Sequence, residues 1–275
     1  MGSKLNLLAC ALCIAALLSS ALGADSAGFG VSGAILKAEV LPGEEISHQM
    51  VVMIAEGEPL LGLAAEVMGF GQTPDGGPKG LEPEEDVGPY SARDFLRVSP
   101  ERFKIEPGSS ESLLLEGDIP LDVGDGGRYA LVKVRSLPVG DAPLGVAFAV
   151  YVPIFLTISG TELVEAGEIT GLEVKETDTP SGKVLMASLT FKNNGNHHFR
   201  ARAEAVLKDE MGNTLAMGET PLGEASIIPT ASRLFEISLD GAEDPSSGAF
   251  LEARVTLEDG RTLDIGEVAL SGGGS

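Results

Sequence analysis

The amino-acid sequence predicts an all-β chain folded as two consecutive β-sandwiches behind an export leader. Three observations predict it. Apolar residues recur at every second position in several segments, the mark of strands with one buried face. Glycine and proline, 36 and 16 of 275 residues, separate those segments at short intervals, as turns between strands require. The chain beyond the leader is long enough for two domains, and its only two cysteines, Cys10 and Cys13, fall inside the leader. An exported protein without disulfides depends on its apolar core alone.

The leader occupies residues 1–23. Lys4 supplies a positive start, Leu5 to Leu18 an apolar run, and Ser19-Ser20-Ala21-Leu22-Gly23 the small residues of a cleavage site, with cleavage after Gly23. The run is short for a membrane anchor, and too few apolar residues precede Cys10 for lipid attachment there. The expected compartment is therefore secreted, extracellular or cell envelope, with no membrane span left after cleavage.

Charge excludes one partner class. Phosphate contact needs clustered lysine and arginine, and a net charge of −22 opposes it, so nucleic acid is not expected, nor adsorption to anionic lipid. The acidity itself is explained by solubility.

The strands follow in order. Val31 to Val40 reads as a first strand ended by Leu41-Pro42-Gly43-Glu44, and Ser47 to Ile54 and Leu63 to Phe70 come next. Gly71 to Pro89, rich in glycine, proline and acids, reads as a long protruding loop, with a helical turn at Ser91 to Leu96. Short strands are expected at Phe103 to Ile105, Ser112 to Leu115 and Arg128 to Arg135. Val146 to Ile158 is almost continuously apolar. Pro153 within it cannot donate a ladder bond, so that strand should bend or run along an edge. The first sandwich is assigned to 28–160, the second to 161–270, and 271–275 to a flexible tail.

The second half alternates most clearly, at Leu185 to Phe191, Phe199 to Leu207 and Leu251 to Leu257, with a turn at Asn193-Asn194-Gly195-Asn196. Two hairpins are expected to close through three-residue loops, 210–212 and 258–260, with Gly212 and Gly260 at positive φ. This register sets Leu207 opposite Leu215, Ala205 opposite Met217, Val255 opposite Leu263 and Ala253 opposite Ile265.

One stretch is specific enough to suggest a family. Val98-Ser99-Pro100-Glu101-Arg102-Phe103-Lys104-Ile105-Glu106-Pro107-Gly108 precedes a strand, then Ile119-Pro120-Leu121-Asp122, then Gly127-Arg128-Tyr129-Ala130-Leu131-Val132-Lys133-Val134. This order resembles the N-terminal domain of PapD-type periplasmic pilus chaperones. It is equally similar to the peptidoglycan-binding domain of WxL-type cell-wall proteins, which an immunoglobulin-like second domain follows. The resemblance implies two tandem immunoglobulin-like sandwiches. Physically the motif is a fold marker: Phe103 and Ile105 face the core and Pro107-Gly108 makes a turn.

The chaperone resemblance also implies an edge strand of alternating bulky residues, here Phe148, Val150, Val152 and Ile154, and a basic pair that holds a partner's terminal carboxylate. Lys37 is the one basic candidate, so the pair is incomplete. Strand addition along the edge is still open to the chain.

Catalytic chemistry has little to rest on. There is no Gly-x-Ser-x-Gly and no histidine pair at helical spacing. His48 reads as a strand residue, and His197 and His198 as turn residues pointing apart. Glu82, Glu84, Glu85 and Asp86 read as a solvated face, and Asp122 to Gly127 as a hairpin turn in preference to a calcium loop. No catalytic residue, metal or cofactor is assigned. The chain reads as a non-catalytic protein that docks to envelope or surface proteins, or to cell wall; the alternative is an assembly chaperone for pili or surface structures that donates an edge strand.

Overall fold

The computed structural model describes residues 28–137, 147–179, 182–223, 225–239 and 248–270. The expected leader with Cys10 and Cys13, the tail, and the start of the apolar run at Val146 lie outside them. No helix among the described residues is long and apolar enough to cross a membrane.

Strands account for almost all regular structure. In chain order they are β1 (Phe29–Ser32), β2 (Leu36–Val40), β3 (Glu45–Ile54), β4 (Leu61–Gln72), β5 (Pro78–Leu81), β6 (Leu96–Ser99), β7 (Arg102–Ile105), β8 (Ser110–Asp118), β9 (Gly127–Leu137) and β10 (Ala149–Ile158). A second group follows: β11 (Gly167–Thr179), β12 (Gly182–Asn193), β13 (Ala201–Lys208), β14 (Thr214–Glu219), β15 (Ser232–Leu239), β16 (Phe250–Leu257) and β17 (Thr262–Ala269). The one helical turn among the described residues, Arg93–Phe95, falls where the sequence places it.

The architecture is all-β, two immunoglobulin-like sandwiches in tandem. The first packs a β1-β3-β8-β6 sheet against a β2-β10-β9-β4 sheet that β5 and β7 extend beyond β4. The second packs β11-β12-β15 against β14-β13-β16-β17. Each has its own core. In the first, Met50, Leu63, Leu113, Leu115, Val132, Ile154 and Leu156 are fully buried, with Ile105 of the family-like motif among them and Phe103 packed alongside. In the second, Phe191, Leu189 and Leu207 are packed with the alanine face Ala201, Ala203 and Ala205.

The expected first strand is broken. Residues 29–32 pair with β3 in one sheet, and residues 36–40 pair in parallel with β10 in the other. Gly33 makes the crossing at φ +70, where a Cβ would also meet the Gln49 carbonyl at 3.0 Å. His48 Nε2, 2.9 Å from the Gly33 oxygen, ties the crossing to β3.

The two second-half hairpins have the expected three-residue loops. Gly212 and Gly260 lie at φ +83 and +85. The register beyond them does not follow expectation. A bulge after Lys208–Thr214 and another after Thr256–Thr262 insert Leu215 and Leu263, so Leu207 faces Ala216, Val206 faces Met217, and Val255 faces Asp264. Packing explains the slip. It turns Ala216 and Gly218 inward, and Gly218 passes so close to β15 that an added Cβ would lie 2.0 Å from the Ser238 carbonyl. Met217 and Ile265 are left exposed.

The acidic segment after β4 does not protrude. β5 folds back along β4, and the Thr73–Gly77 turn docks on the second sandwich, where Leu234 N donates to the Pro74 oxygen at 2.8 Å. Glu82, Glu84 and Glu85 are exposed as expected. Asp86 is not: its side chain is 7 % exposed and accepts from Ser91 Oγ at 2.5 Å. The Asp122 to Gly127 segment is a turn organised by a cation of the chain itself. Buried Arg128 donates to the carbonyls of Val123, Asp125 and Gly127, and loss of hydration pulls its guanidinium below the ordinary arginine range.

Candidate functional site

The sheet switch at Gly33 creates an unpaired edge. β2 covers β10 only from Ile154 to Ile158, because upstream of Leu36 the chain has left for the opposite sheet. The side of β10 that is left free follows from hydrogen-bond parity. Ser136 N donates to Phe148 O, and Ile158 N to Gly126 O, both at 2.9 Å, so the even-numbered residues of β10 direct their backbone groups to β9. Odd-numbered residues face the other way. Among the described residues, Ala149 and Tyr151 therefore present both backbone groups to an open edge, while the Pro153 carbonyl already faces β2 at the first paired position, Ile154–Leu36. Pro153 sits on an edge, one of the two outcomes its sequence position allowed, and its missing N–H falls on the free side just before β2 takes over.

Beside this edge the two sheets gape. A groove of about 1210 Å³ lies between β1 and the start of β10, lined by Phe29, Met53, Ile54, Phe148 and Val150 together with the Gly108–Ser110 turn. Phe148 is 37 % exposed and Met53 43 %. The four residues of the expected edge face thus divide. Phe148 and Val150 line the groove, whereas Val152 and Ile154 are fully buried in the first core. All four share one face of β10, and that face is the sandwich's own interior. A partner strand can reach Val152 only through the backbone at its flanks.

The remaining expected residues gather at the seam between the sandwiches. Met68, Phe70, Tyr129, Leu131 and Phe155 from the first pack on Ile228 from the second. Gln72 bridges them: its Nε2 donates to Ser226 O at 2.8 Å and its Oε1 accepts from Ile228 N at 2.9 Å. His197 and His198 do not point apart; their ring centroids lie 4.3 Å from each other, the planes tilted by 41°. His198 Nδ1 is 3.2 Å from Tyr129 Oη, and His197 Nε2 is 3.2 Å from Thr157 Oγ1. Burial holds both imidazoles below the usual histidine range, His198 to about 3, with His197 and Lys37 adding to the effect at His198. Burial also raises the Tyr129 phenol. These are neutral packing groups, and among the described residues no three acidic, histidine or cysteine side chains converge as metal ligands would.

Lys37 lies on β2 with its Nζ 5.4 Å from the Phe155 ring centroid. It lines a cleft of about 490 Å³ with His198 and Arg200, but Glu165, Glu258 and Asp259 line the same cleft, and Arg200 is paired with Glu258. Three carboxylates against two cations do not make a carboxylate clamp.

No family model matches the chain, and no curated protein matches it. Solved structures do show similarity. A chaperone–tip adhesin complex of CFA/I fimbriae biogenesis aligns at 11 % identity and TM-score 0.43, over 84 % of this chain and 92 % of that one. The periplasmic chaperone SfaE aligns at 11 % identity and TM-score 0.41, over 88 % and 100 %. The CsuC–CsuE chaperone–tip adhesion subunit complex of Acinetobacter baumannii aligns at 15 % identity and TM-score 0.41, over 76 % and 90 %.

Sequence reasoning missed the seam residues Gln72 and Tyr129 and the switch at Gly33. The switch left a trace: the inward phase runs on odd numbers at Phe29 and Val31 but on even numbers at Leu36, Ala38 and Val40.

Proposed function

We propose that this protein is a non-catalytic interaction protein of the cell envelope that captures an extended apolar segment of another exported protein by strand addition, the action of an assembly chaperone. One observation carries the reading: the backbone of Ala149 to Tyr151 is open on one side, directly beside an apolar groove. An incoming strand would bond to Ala149 and Tyr151 and lay alternate side chains against Phe148, Val150 and Phe29. Pro153 would end the pairing before it competed with β2. The wider reading, docking to envelope proteins or cell wall, contains this one. A polypeptide partner is favoured over wall polymer because the edge offers amide hydrogen bonds and the groove is apolar.

The test is capture of an exported subunit, or of a peptide alternating Val and Ser, by the full chain. Ala149→Pro removes one donor on the open side only, since the bonds to β9 come from even-numbered residues. Val150→Asp places a charge in the groove. Both should abolish capture, with the folded state checked by thermal melting. Unchanged capture by a folded Ala149→Pro protein refutes strand addition.

A further inference from the structure

The outer face of the β2-β10-β9-β4 sheet carries a second surface, remote in chemistry from the apolar groove. The second sandwich covers this face near Met68 and Phe70, while toward Gly62 its exposed side chains are charged, Glu66, Arg102 and Lys104. There β4 lies between two short rails of cations. Ala64 pairs with Arg102 of β7 on one side and Arg135 of β9 on the other; one pleat along, Gly62 pairs with Lys104, and in the opposite direction Glu66 pairs with Lys133. Gly62 and Ala64 thus lie buried beneath a shallow trough whose walls are long basic side chains. Its walls, Arg102 and Arg135, lie about 10 Å apart, two interstrand spacings. A depression of about 430 Å³ adjoins it, lined by Ala64, Glu66, Arg102 and Arg135 and, on its far side, by Arg93, Asp94 and Arg97.

Charge is not balanced there. Lys133 and Arg135 share a single carboxylate, Glu66, at 3.4 and 3.7 Å. Arg102 and Lys104 are exposed and have no ion-pair partner among the described residues. Glu101 and Asp94 line the depression as well, Asp94 being paired with Arg93, so Arg102 and Lys104 are the cations left over on a chain whose net charge is −22. An overall acidic chain that gathers unpaired cations on one sheet face presents a complementary surface to an anion.

We propose that this trough docks an extended acidic polypeptide segment with carboxylates at alternate residues. Arg102 and Lys104 are two residues apart on one strand, a repeat of about 6.8 Å, which is the repeat of same-side side chains in an extended peptide. The guanidinium fork suits a planar carboxylate. The proposal is independent of strand capture at β10.

The test uses the full chain and fluorescein-labelled peptides followed by anisotropy at low and moderate salt. One peptide alternates Glu and Ser; a second has the same composition in two blocks; inorganic polyphosphate is the competing anionic polymer. The alternating peptide should bind, and a double R102S/K104S variant should weaken it about tenfold, two exposed charge contacts being lost. Neither substituted side chain holds an ion pair, so folding is spared. Ala149→Pro should leave this binding unchanged. Equal affinity for the block peptide, polyphosphate binding at least as tight, or indifference to the double substitution would each overturn the proposal.

Discussion

Asn193 is the polar group on which the seam's geometry turns, and its removal has a cost that can be worked out. The residue is fully buried. Its Nδ2 donates to the His197 and Ile227 carbonyls, each at 2.9 Å, and its Oδ1 accepts from Gly195 N at 2.8 Å. Asn193→Ala removes all three bonds, but the orphans differ. Gly195 N keeps the Ala166 carbonyl at 3.1 Å and Ile227 O keeps a long 3.4 Å contact from Phe199 N. His197 O is left with no partner among the described residues. One stranded carbonyl at about 2 kcal/mol and two weakened bonds at about 0.5–1 kcal/mol each give a loss of about 3–4 kcal/mol. A unit of this size loses about 2–4 °C per kcal/mol when both sandwiches unfold together, so the melting temperature should fall by about 6–16 °C.

Urea unfolding and calorimetry measure it. Asn193→Asp is the informative companion: it keeps the acceptor for Gly195 but directs a carboxylate at two carbonyls. Burial raises such a group's pKa, so this variant should regain stability as pH falls from 7 to 5, while Asn193→Ala does not. A loss below about 1 kcal/mol for Asn193→Ala would refute the assignment of the turn to this side chain.

The remaining expectations are simpler. Because His197 and His198 are held below their unfolded value of about 6.5, the unfolded chain binds their protons first; stability is complete above pH 6.5 and declines as pH falls toward 3, by up to about 1.4 kcal/mol per unit for each histidine. His198→Phe, compared with the parent by urea titration at pH 7 and 5, should lose part of that slope, and an unaltered slope would count against a buried neutral His198. Gly218→Ala drives a Cβ into the Ser238 carbonyl and should cost at least about 1–3 kcal/mol in a thermal melt. Gln72→Ala should cost about 1–2 kcal/mol and speed amide exchange at Ile228, which that side chain protects.

The fold was legible where one face of a strand is core and the other is water, because period two then has a single reading. Leu185 to Phe191 and Leu251 to Leu257 are of that kind. The bulges at Leu215 and Leu263 were not legible, since apolar residues stand on both phases and only the close approach of Gly218 to β15 selects between them. The division of Phe148, Val150, Val152 and Ile154 was hidden for a related reason: alternating bulky residues look the same whether they face a partner or their own core. The cations of the outer face stood at alternate positions, Arg102 and Lys104, Lys133 and Arg135. Only the pairing of both strands with β4 makes them one surface.

An unpaired edge is ordinarily a hazard, because it templates association with any extended chain. Here the exposure is bounded by construction. β2 closes one end of β10, and Pro153 stands at the junction, its carbonyl turned to β2 and its missing N–H removing a donor from the open side. The open stretch is therefore a few residues long, and those residues adjoin the groove that Phe148 and Val150 line. An edge left open by chance would need no such stop, nor an apolar trough beside it. The switch at Gly33 supplies the opening and the proline limits it, which is the geometry that the proposed capture of one short strand requires.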